Sequence, residues 1–387
     1  MAENILQKSK SNKPFMILSA LGILFVVDCH SGNGIGFFTS VFPYDSFFMP
    51  MFMFISGYFF KEKHIATVVD LLQYIKGKFL KLLVPYLLWA VVYGLFTEIS
   101  KNLNLLYWSE WNKENWLSVF NTGMTFNVNG AAWFVPALFS VMLFYSIIRK
   151  LFKPIWNDLA AFAFFIALGA VSVAVSRQRD YVTDAMLLPL KTAFFIQFYH
   201  FGVVFKRYIE KWFDSLPAWL VCLAAAAINL LLLVKYKNIT FITCATMSGF
   251  ITNNYFLPLI TSVTGIFFWL KIAKCTEPIL GNSKIVNYIS DRTFFIMIHH
   301  LFFINVFSAV LYVAKKIGIG FFAEFNTNNF RHNPWYIYAP ARWVNTAYFL
   351  FSIIATLCAC FLFDRINDAV KKLFRTILSS RKAQKSA

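Results

Sequence analysis

The chain has 387 residues, of which 59% are hydrophobic and 14% charged, and its mean hydropathy is +0.60. One water-excluding core cannot hold so many apolar side chains beneath a polar exterior, which excludes an ordinary water-soluble protein. The formal net charge is +18 at pH 7. Basic residues beside apolar segments meet anionic lipid headgroups, so the charge indicates a lipid bilayer as partner, and no pattern indicates nucleic acid.

Long apolar segments without strand-like alternation favour membrane helices, because a helix satisfies its own backbone hydrogen bonds in lipid. A sliding window of about 19 residues predicts an all-α polytopic bundle. Its ten spans lie near 15–30, 46–61, 79–99, 132–152, 158–176, 185–205, 216–235, 254–273, 293–314 and 344–363. The second span is short and contains Pro50 and Gly57, which predicts a kinked or re-entrant helix.

Basic residues concentrate in alternate loops and in the tail after the last span. By the positive-inside rule, these loops and both termini face the cytoplasm. We therefore divide the chain into a cytoplasmic tail at 1–14, a transmembrane domain at 15–363 and a basic cytoplasmic tail at 364–387. The exceptions, which make the rule a bias, are Lys235, Lys237, Lys315 and Lys316.

The cysteines show neither metal-ligand spacing nor a paired framework. They are small apolar side chains suited to packing. We predict packing roles and no metal site for Cys29, Cys222, Cys244, Cys275, Cys358 and Cys360.

Two predicted outer loops are rich in aromatic residues. The first contains Trp108, Trp111 and Trp116, and the second contains Trp335 and Tyr336. One interpretation is an aromatic belt at the lipid headgroups. The other is a platform where flat rings and polar groups meet a sugar.

The first apolar segment ends at His30, and ionisable residues in such segments are functional candidates because they are costly to keep there. Six segments in order, beginning around this histidine, resemble the acyltransferase 3 family of membrane acyltransferases. They are 22–31 (GILFVVDCHS), 47–58 (FFMPMFMFISGY), 81–86 (KLLVPY), 133–138 (WFVPAL), 201–202 (FG) and 294–299 (FFIMIH). The resemblance extends over essentially the whole chain and is closest to the branch with fucose O-acetylase-like proteins.

The resemblance implies a multi-pass enzyme of a bacterial cytoplasmic membrane. Such enzymes transfer an acyl group, commonly acetyl from acetyl-CoA, to a hydroxyl group of a cell-surface glycan or glycolipid precursor. In the family, the histidine that ends the first helix is regarded as catalytic, and His30 occupies that position. Two positions depart from the family pattern: Ser19 stands where an arginine that would position the donor or the histidine is usual, and Phe48 replaces the histidine of a Phe-His-Met-Pro motif.

The chemistry independently suits His30. Acyl transfer from a thioester to an alcohol needs a base for the hydroxyl proton, and imidazole titrates near neutrality. We predict that His30 is this general base. A transient acyl carrier and a histidine that only hydrogen-bonds at the helix end are the alternatives.

An acidic residue that orients His30 is less evident. Asp28 precedes it by two positions and points roughly 200° away around a helix, so it is not expected to reach the ring. Asp45 and Glu324, on predicted outer loops, are the alternatives.

Three basic residues after the second span are predicted to bind the phosphates of CoA as point charges. They are Lys76, Lys78 and Lys81, and the alternative is that they are ordinary positive-inside lysines. The residues predicted to bind substrate through their match to the family are Ser56, Gly57, Trp133 and His299. For Ser56, Gly57 and Trp133 the alternative is packing alone, with small residues that permit close helix approach. For His299 the alternative is a packing histidine whose hydrogen bonds are satisfied.

Two other functions remain compatible with the sequence. A polysaccharide or glycolipid exporter without acyl transfer would also use ten helices and an intramembrane His299. An inactive member serving as a scaffold would fit Ser19. For an enzyme, the predicted outer location of His30 and the cytoplasmic source of acyl-CoA imply transfer of the acyl group across the membrane.

Overall fold

The computed structural model describes residues 12–124, 126–241, 247 and 254–386, and every regular element in these ranges is helical. The α-helices are α1 Lys13–His30, α2 Phe48–Tyr58, α3 Val68–Lys78, α4 Val84–Asn102, α5 Lys113–Asn121, α6 Phe134–Leu151, α7 Asp158–Ser176, α8 Asp184–Val204, α9 Glu210–Ser215, α10 Ala218–Tyr236, α11 Leu257–Leu280, α12 Lys284–Asp291, α13 Thr293–Lys316, α14 Thr327–His332 and α15 Arg342–Ser386. Short π-helical segments at Phe79–Leu83 and Phe205–Ile209 continue α3 into α4 and α8 into α9.

Nine helical segments of the described residues are long and apolar enough to span a membrane. They are Lys13–His30, Val68–Asn102, Val128–Leu151, Asp158–Ser176, Asp184–Ser215, Ala218–Tyr236, Leu257–Leu280, Thr293–Lys316 and Arg342–Lys372. Each overlaps one predicted span, and only the second span has no such counterpart. The prediction of a polytopic helical bundle is confirmed, and the chain is a multi-pass membrane protein. Residues 1–11 of the predicted N-terminal tail and Cys244 lie outside the described residues.

The second predicted span contains α2, whose 11 residues measure about 16 Å, roughly half the hydrocarbon thickness of a bilayer. The surrounding segment nevertheless runs the length of α1. Near one end of α1 the Tyr44 hydroxyl donates to Asp28 at 2.8 Å, and at the other end Asn12 Nδ2 donates to the Tyr58 hydroxyl at 3.1 Å. The segment from the 3-10 turn Tyr44–Ser46 through α2 therefore lies alongside the whole length of α1.

Glycines on both sides of the contact between α2 and α8 allow the helices to touch. A Cβ atom on Gly57 would overlap the backbone carbonyl of Tyr199, and one on Gly202 would overlap the carbonyl of Phe54. Small residues of this kind let helix backbones approach closely in membranes. Gly57 is thus in a helix contact, and Pro50 lies in the first turn of α2, where it removes no helix hydrogen bond.

We expect Gly57→Ala to lower the free energy of unfolding by about 3 kcal/mol, because the two backbones must separate to admit the methyl group. Gly77→Ala is the matched control, since a Cβ on Gly77 would meet nothing within 4 Å. The control should raise stability by about 0.5–1 kcal/mol through helix propensity. Thermal unfolding in detergent measures both, and a Gly57→Ala protein as stable as wild type would contradict this packing.

One end of the bundle, here called the basic end, holds a closed network of ion pairs. Glu62 lies 2.5 Å from Arg149 and 2.6 Å from Arg207, and Asp158 lies 3.3 Å and 2.5 Å from the same two residues. Burial raises the pKa of Glu62, but the hydrogen bonds from Arg149 and Arg207 outweigh this and hold the pKa below its usual value. The network joins the loop before α3 to the ends of α6, α7 and α8.

The opposite end, here called the loop end, is covered by two loops that bind each other. Trp108 Nε1 donates to the carbonyl of Phe330 at 2.9 Å, and the Tyr107 N–H donates to the carbonyl of Arg331 at 2.7 Å. Trp108 and Phe330 are buried in a separate apolar cluster. These aromatic loops therefore form a folded cap, in which Trp108 is a core residue rather than a headgroup anchor.

Candidate active site

The end of α1 determines where His30 lies. Asp28 is fully buried and accepts hydrogen bonds from the N–H groups of Ile35 at 3.0 Å and Gly36 at 2.8 Å. These bonds fold the following loop back onto the helix, which Gly32 permits by adopting a positive φ of 81°. Asp28 thus fixes the loop and does not orient His30, as the helical geometry predicted.

A second histidine contacts His30 directly. His30 Nδ1 lies 2.9 Å from His300 Nε2, and the other ring nitrogen of His300, Nδ1, lies 2.9 Å from the carbonyl oxygen of Ile296. His300 is fully buried on α13, whereas His30 is partly exposed. Two helices distant in sequence therefore meet in a histidine pair.

This chain of contacts determines the tautomers of two neutral rings. A carbonyl oxygen only accepts, so His300 Nδ1 carries the hydrogen that Ile296 receives, and His300 Nε2 has a lone pair. That lone pair accepts from His30, so His30 Nδ1 carries a hydrogen as well. His30 Nε2 is then the unprotonated nitrogen, and its lone pair can take a proton.

The cap places an aromatic ring beside the histidine pair. The ring centres of Trp335 and His30 are 5.8 Å apart, and Trp335 is 41% exposed. Trp335 also packs on Gly130, where a Cβ would lie 2.8 Å from the indole ring. Asn305 on α13 holds the cap here by donating to the carbonyl of Pro334 at 2.9 Å. The Trp335 ring is thus held beside His30 by its packing on Gly130 and by the hydrogen bond of the preceding residue, Pro334.

The histidine pair lies within the helix bundle. At 1.5 Å per residue, α13 continues about 24 Å from His300 to its end at Lys316. The Ser352 hydroxyl donates to the His300 carbonyl at 3.0 Å, and Ser352 is about 15 Å along α15 from Arg342. The pair is therefore inside the bundle, beneath the loop end.

His299 precedes His300 but contacts a different group of residues. Its Nδ1 lies 2.6 Å from the Tyr93 hydroxyl, and its ring packs against Trp89 and Phe295 with ring centres 4.2 and 4.0 Å away. Its Nε2 is buried without a hydrogen-bond partner. Neighbouring helix positions point about 100° apart, so only one of the two histidines pairs with His30.

The remaining predicted substrate residues lie on other helices. Trp133 is buried at the start of α6, with the ammonium of Lys191 4.9 Å from its ring centre. Lys191 in turn donates to the Thr122 carbonyl at 2.5 Å. Ser56 is partly buried on α2, one position before the Gly57 contact.

The lysines predicted to bind CoA lie at the end of α3 and in the π-helical segment after it. Lys78 places its ammonium 5.3 Å from the ring centre of Tyr74. Among the described residues, no ion pair neutralises Lys76, Lys78 or Lys81. They differ in this respect from Arg149, which the network at the basic end neutralises.

The structure also shows where the two departures from the family pattern and the two candidate acids lie. Ser19 Oγ lies 3.4 Å from Thr293 Oγ1 at the start of α13, and Phe48 is buried at the start of α2. The Asp45 carboxylate lies 3.6 and 3.7 Å from the Cys29 sulfur, and Glu324 is exposed in the cap. His300, rather than either acid, contacts His30.

A comparison with protein families decides between the functional classes. The family model described as an acyltransferase domain matches residues 17–365, which include both histidines and at least part of every long helix. The chain belongs to the acyltransferase 3 family. No curated protein and no solved structure matches it. The protein is thus an acyltransferase, which disfavours the exporter, whereas the fucose O-acetylase-like branch stays a prediction.

Sequence reasoning about this acyltransferase missed His300. The family resemblance points to His299, and nothing local indicates which of two consecutive histidines turns toward α1. The available signal was that a pair of histidines within one membrane helix must place at least one toward the bundle interior. Among the described residues no three His, Cys, Asp or Glu side chains are grouped as metal ligands.

Proposed function

We propose that this acyltransferase moves an acyl group, most commonly acetyl, from acyl-CoA to a hydroxyl group of a cell-surface glycan or glycolipid precursor, with His30 as general base. The observation that carries the proposal is the hydrogen bond between His30 Nδ1 and His300 Nε2. It leaves the His30 Nε2 lone pair available, on a partly exposed ring beside Trp335.

In the proposed reaction, the acceptor O–H gives its proton to His30 Nε2 as the oxygen attacks the thioester carbonyl carbon. His30 Nδ1–H keeps its hydrogen bond to His300, which steadies the ring as positive charge develops. The tetrahedral intermediate collapses with cleavage of the C–S bond. The imidazolium returns the proton to the thiolate, which leaves as CoA-SH, and His30 is neutral again.

The donor is proposed to enter from the basic end. Lys76, Lys78 and Lys81 carry charges that no ion pair in the described residues neutralises, and the phosphates of CoA are suitable partners. The thioester arm would then extend into the bundle toward His30. Because the basic end faces the cytoplasm by the charge bias, acyl-CoA made in the cytoplasm is available there, in a bacterial cytoplasmic membrane.

The acceptor is proposed to approach from the loop end. Trp335 presents a large flat ring beside His30 and remains partly exposed. Aromatic faces with nearby polar groups suit a sugar, and His299, Trp133 and Ser56 are proposed as further substrate contacts. The acyl group would thereby pass from one side of the membrane to an acceptor on the other.

The proposal is tested with purified protein in sealed vesicles of known orientation, supplied with radiolabelled acetyl-CoA on one side only. We expect release or transfer of label when acetyl-CoA faces the basic end, and none when it faces the loop end. Replacing Lys76, Lys78 and Lys81 by glutamine should raise KM for acetyl-CoA about tenfold, an effect of about 1.4 kcal/mol. Lys101→Gln, at the loop end, is the matched control and should leave KM unchanged.

Two outcomes would contradict the proposal. Turnover supplied only from the loop end would reverse the donor path. Absence of turnover from both sides, with acceptor extracts present, would contradict acyl-CoA as donor and favour an inactive or scaffolding member of the family.

A further inference from the structure

Among the described residues, three asparagines have buried side-chain amide atoms for which no hydrogen-bond partner is found. They are Asn129, Asn305 and Asn345. Buried polar groups in folded proteins are almost always paired, so each exception needs a physical reason. For Asn305 and Asn345 only the oxygen is both buried and unpaired, whereas for Asn129 both the oxygen and the nitrogen are buried without a partner among the described residues.

Asn129 is 1% exposed, so its side chain is shielded from bulk solvent. It lies in the 3-10 segment Asn127–Trp133 with φ −106° and ψ 16°, which is not a helical conformation. Phe126, just before this segment, has a positive φ of 42°, which is rare for an aromatic residue. The Asn129 backbone is paired, because its N–H donates to the Phe126 carbonyl at 2.9 Å. The irregular backbone thus holds an unpaired side chain in place.

The position of Asn129 connects it to the reacting group. The next residue, Gly130, packs on the Trp335 ring, and that ring lies beside His30. The same segment packs on α13, which carries His300. The segment that carries Asn129 therefore contacts both Trp335, which lies beside His30, and α13, which carries His300.

A purely structural role would give a different pattern. Asn229 on α10 is also buried, but its Oδ1 accepts from Thr264 at 2.6 Å and its Nδ2 donates to the Val41 carbonyl at 3.1 Å. Those bonds join α10 to α11 and to the loop after α1. The Asn129 side chain makes no such bond with the described residues. The free-energy cost of burying its amide is therefore not offset by a hydrogen bond that stabilises the fold.

We propose that the Asn129 carboxamide binds the reacting acyl group, with Nδ2–H donating to its carbonyl oxygen. This inference rests on the proposed function. As the acceptor oxygen attacks, the C=O electrons move onto that oxygen, and the Nδ2–H bond stabilises the negative charge. When the C–S bond breaks, the carbonyl reforms and the donor bond weakens. A preorganised donor in a buried site has a large effect on rate, because no solvent must reorganise.

The test compares Asn129→Leu with Asn229→Leu, the same substitution at an unpaired and at a paired buried amide. For Asn129→Leu we expect kcat for acetyl-CoA turnover to fall about 100-fold, with KM within about threefold of wild type. Its melting temperature should be unchanged or higher, because an unpaired polar group has been removed. Asn229→Leu should lower the melting temperature and leave kcat per folded molecule unchanged.

Asn129→Asp serves as a second variant of nearly the same shape, whose carboxyl donates when protonated and cannot donate when ionised. Its kcat should therefore fall as pH rises through the pKa of this carboxyl. A folded Asn129→Leu protein with kcat within threefold of wild type would overturn the inference. So would a fall in melting temperature like that of Asn229→Leu with unchanged kcat. Wild-type protein without acetyl-CoA turnover would instead overturn the proposed function, which keeps the two failures distinct.

Discussion

Replacing His30 by alanine should lower kcat for acyl transfer by about 10²–10⁴-fold, the range typical of a positioned general base. KM for acetyl-CoA should change little, because the proposed donor contacts lie at the basic end and not at His30. Steady-state turnover of radiolabelled acetyl-CoA by purified protein in nanodiscs measures both constants. A His30→Ala protein with the kcat of wild type would show that His30 takes no part in the reaction.

The control for this substitution is His200→Gln. His200 is also a buried histidine, but its Nδ1 bonds the Tyr145 hydroxyl at 3.0 Å and its Nε2 bonds the Asp158 carbonyl at 2.9 Å. Both ring nitrogens are occupied, so this histidine has a structural role at the contact of α6, α7 and α8. We expect His200→Gln to lower the melting temperature and to retain kcat per folded molecule.

Replacing His300 by leucine has the second largest expected effect, a loss of about 100-fold in kcat. Leucine removes the His300 acceptor and leaves His30 only its backbone hydrogen bond to Val26, so the tautomer that leaves Nε2 unprotonated is less strongly selected and the ring is less firmly held. The donor site is untouched, and KM for acetyl-CoA should stay within about threefold. The measurement is the pH profile of kcat, together with kcat and KM at neutral pH.

The conservative variant His300→Gln separates positioning from packing. Its side-chain oxygen can accept from His30 Nδ1–H, so it should recover a large part of the activity that leucine loses. His300→Leu should also change the pH profile, because the hydrogen bond between the rings biases the protonation of His30. If the two variants have equal kcat values and the wild-type pH profile, His300 does not act through His30.

Most of the fold could be predicted, because a long apolar segment directly indicates a helix that spans the bilayer. Hydropathy located the nine long helices of the described residues, and only their ends differ; α11, for example, continues to Leu280 although the predicted span ends near residue 273. This end of α11 is stabilised by contacts the sequence does not show. Lys271 donates to the Phe213 carbonyl at 2.9 Å, and Lys274 lies 2.6 Å from Asp214.

The second predicted span, residues 46–61, shows what a hydropathy window does not resolve. A window of about 19 residues sees one apolar stretch, whereas the structure divides it into a 3-10 turn and the short helix α2. The turn exists because Tyr44 bonds Asp28, a pairing between segments 16 residues apart. Likewise, the role of Gly57 depends on the Tyr199 carbonyl of another helix.

Part of the candidate site could be predicted from the sequence. His30 was found from its location and its family match, and the geometry of a helix rejected Asp28 as its partner. His300 and Trp335 come from segments 270 and 305 positions away in the chain, and their approach depends on how helices rotate and how the cap folds. Asn129 could not be predicted, because a buried amide without hydrogen-bond partners is recognised only in the three-dimensional structure.

The most direct test of the central claim is to map where a reactive donor attaches. Bromoacetyl-CoA places an electrophilic carbon beside the thioester carbonyl, and a lone pair nearby displaces bromide. The experiment uses a Cys29→Ala background, because Cys29 adjoins His30 and is itself nucleophilic. Mass spectrometry should find the label on His30 Nε2, with attachment lost in His30→Ala and slowed in His300→Leu. Labelling at another residue, at the same rate with and without His30, would contradict the account.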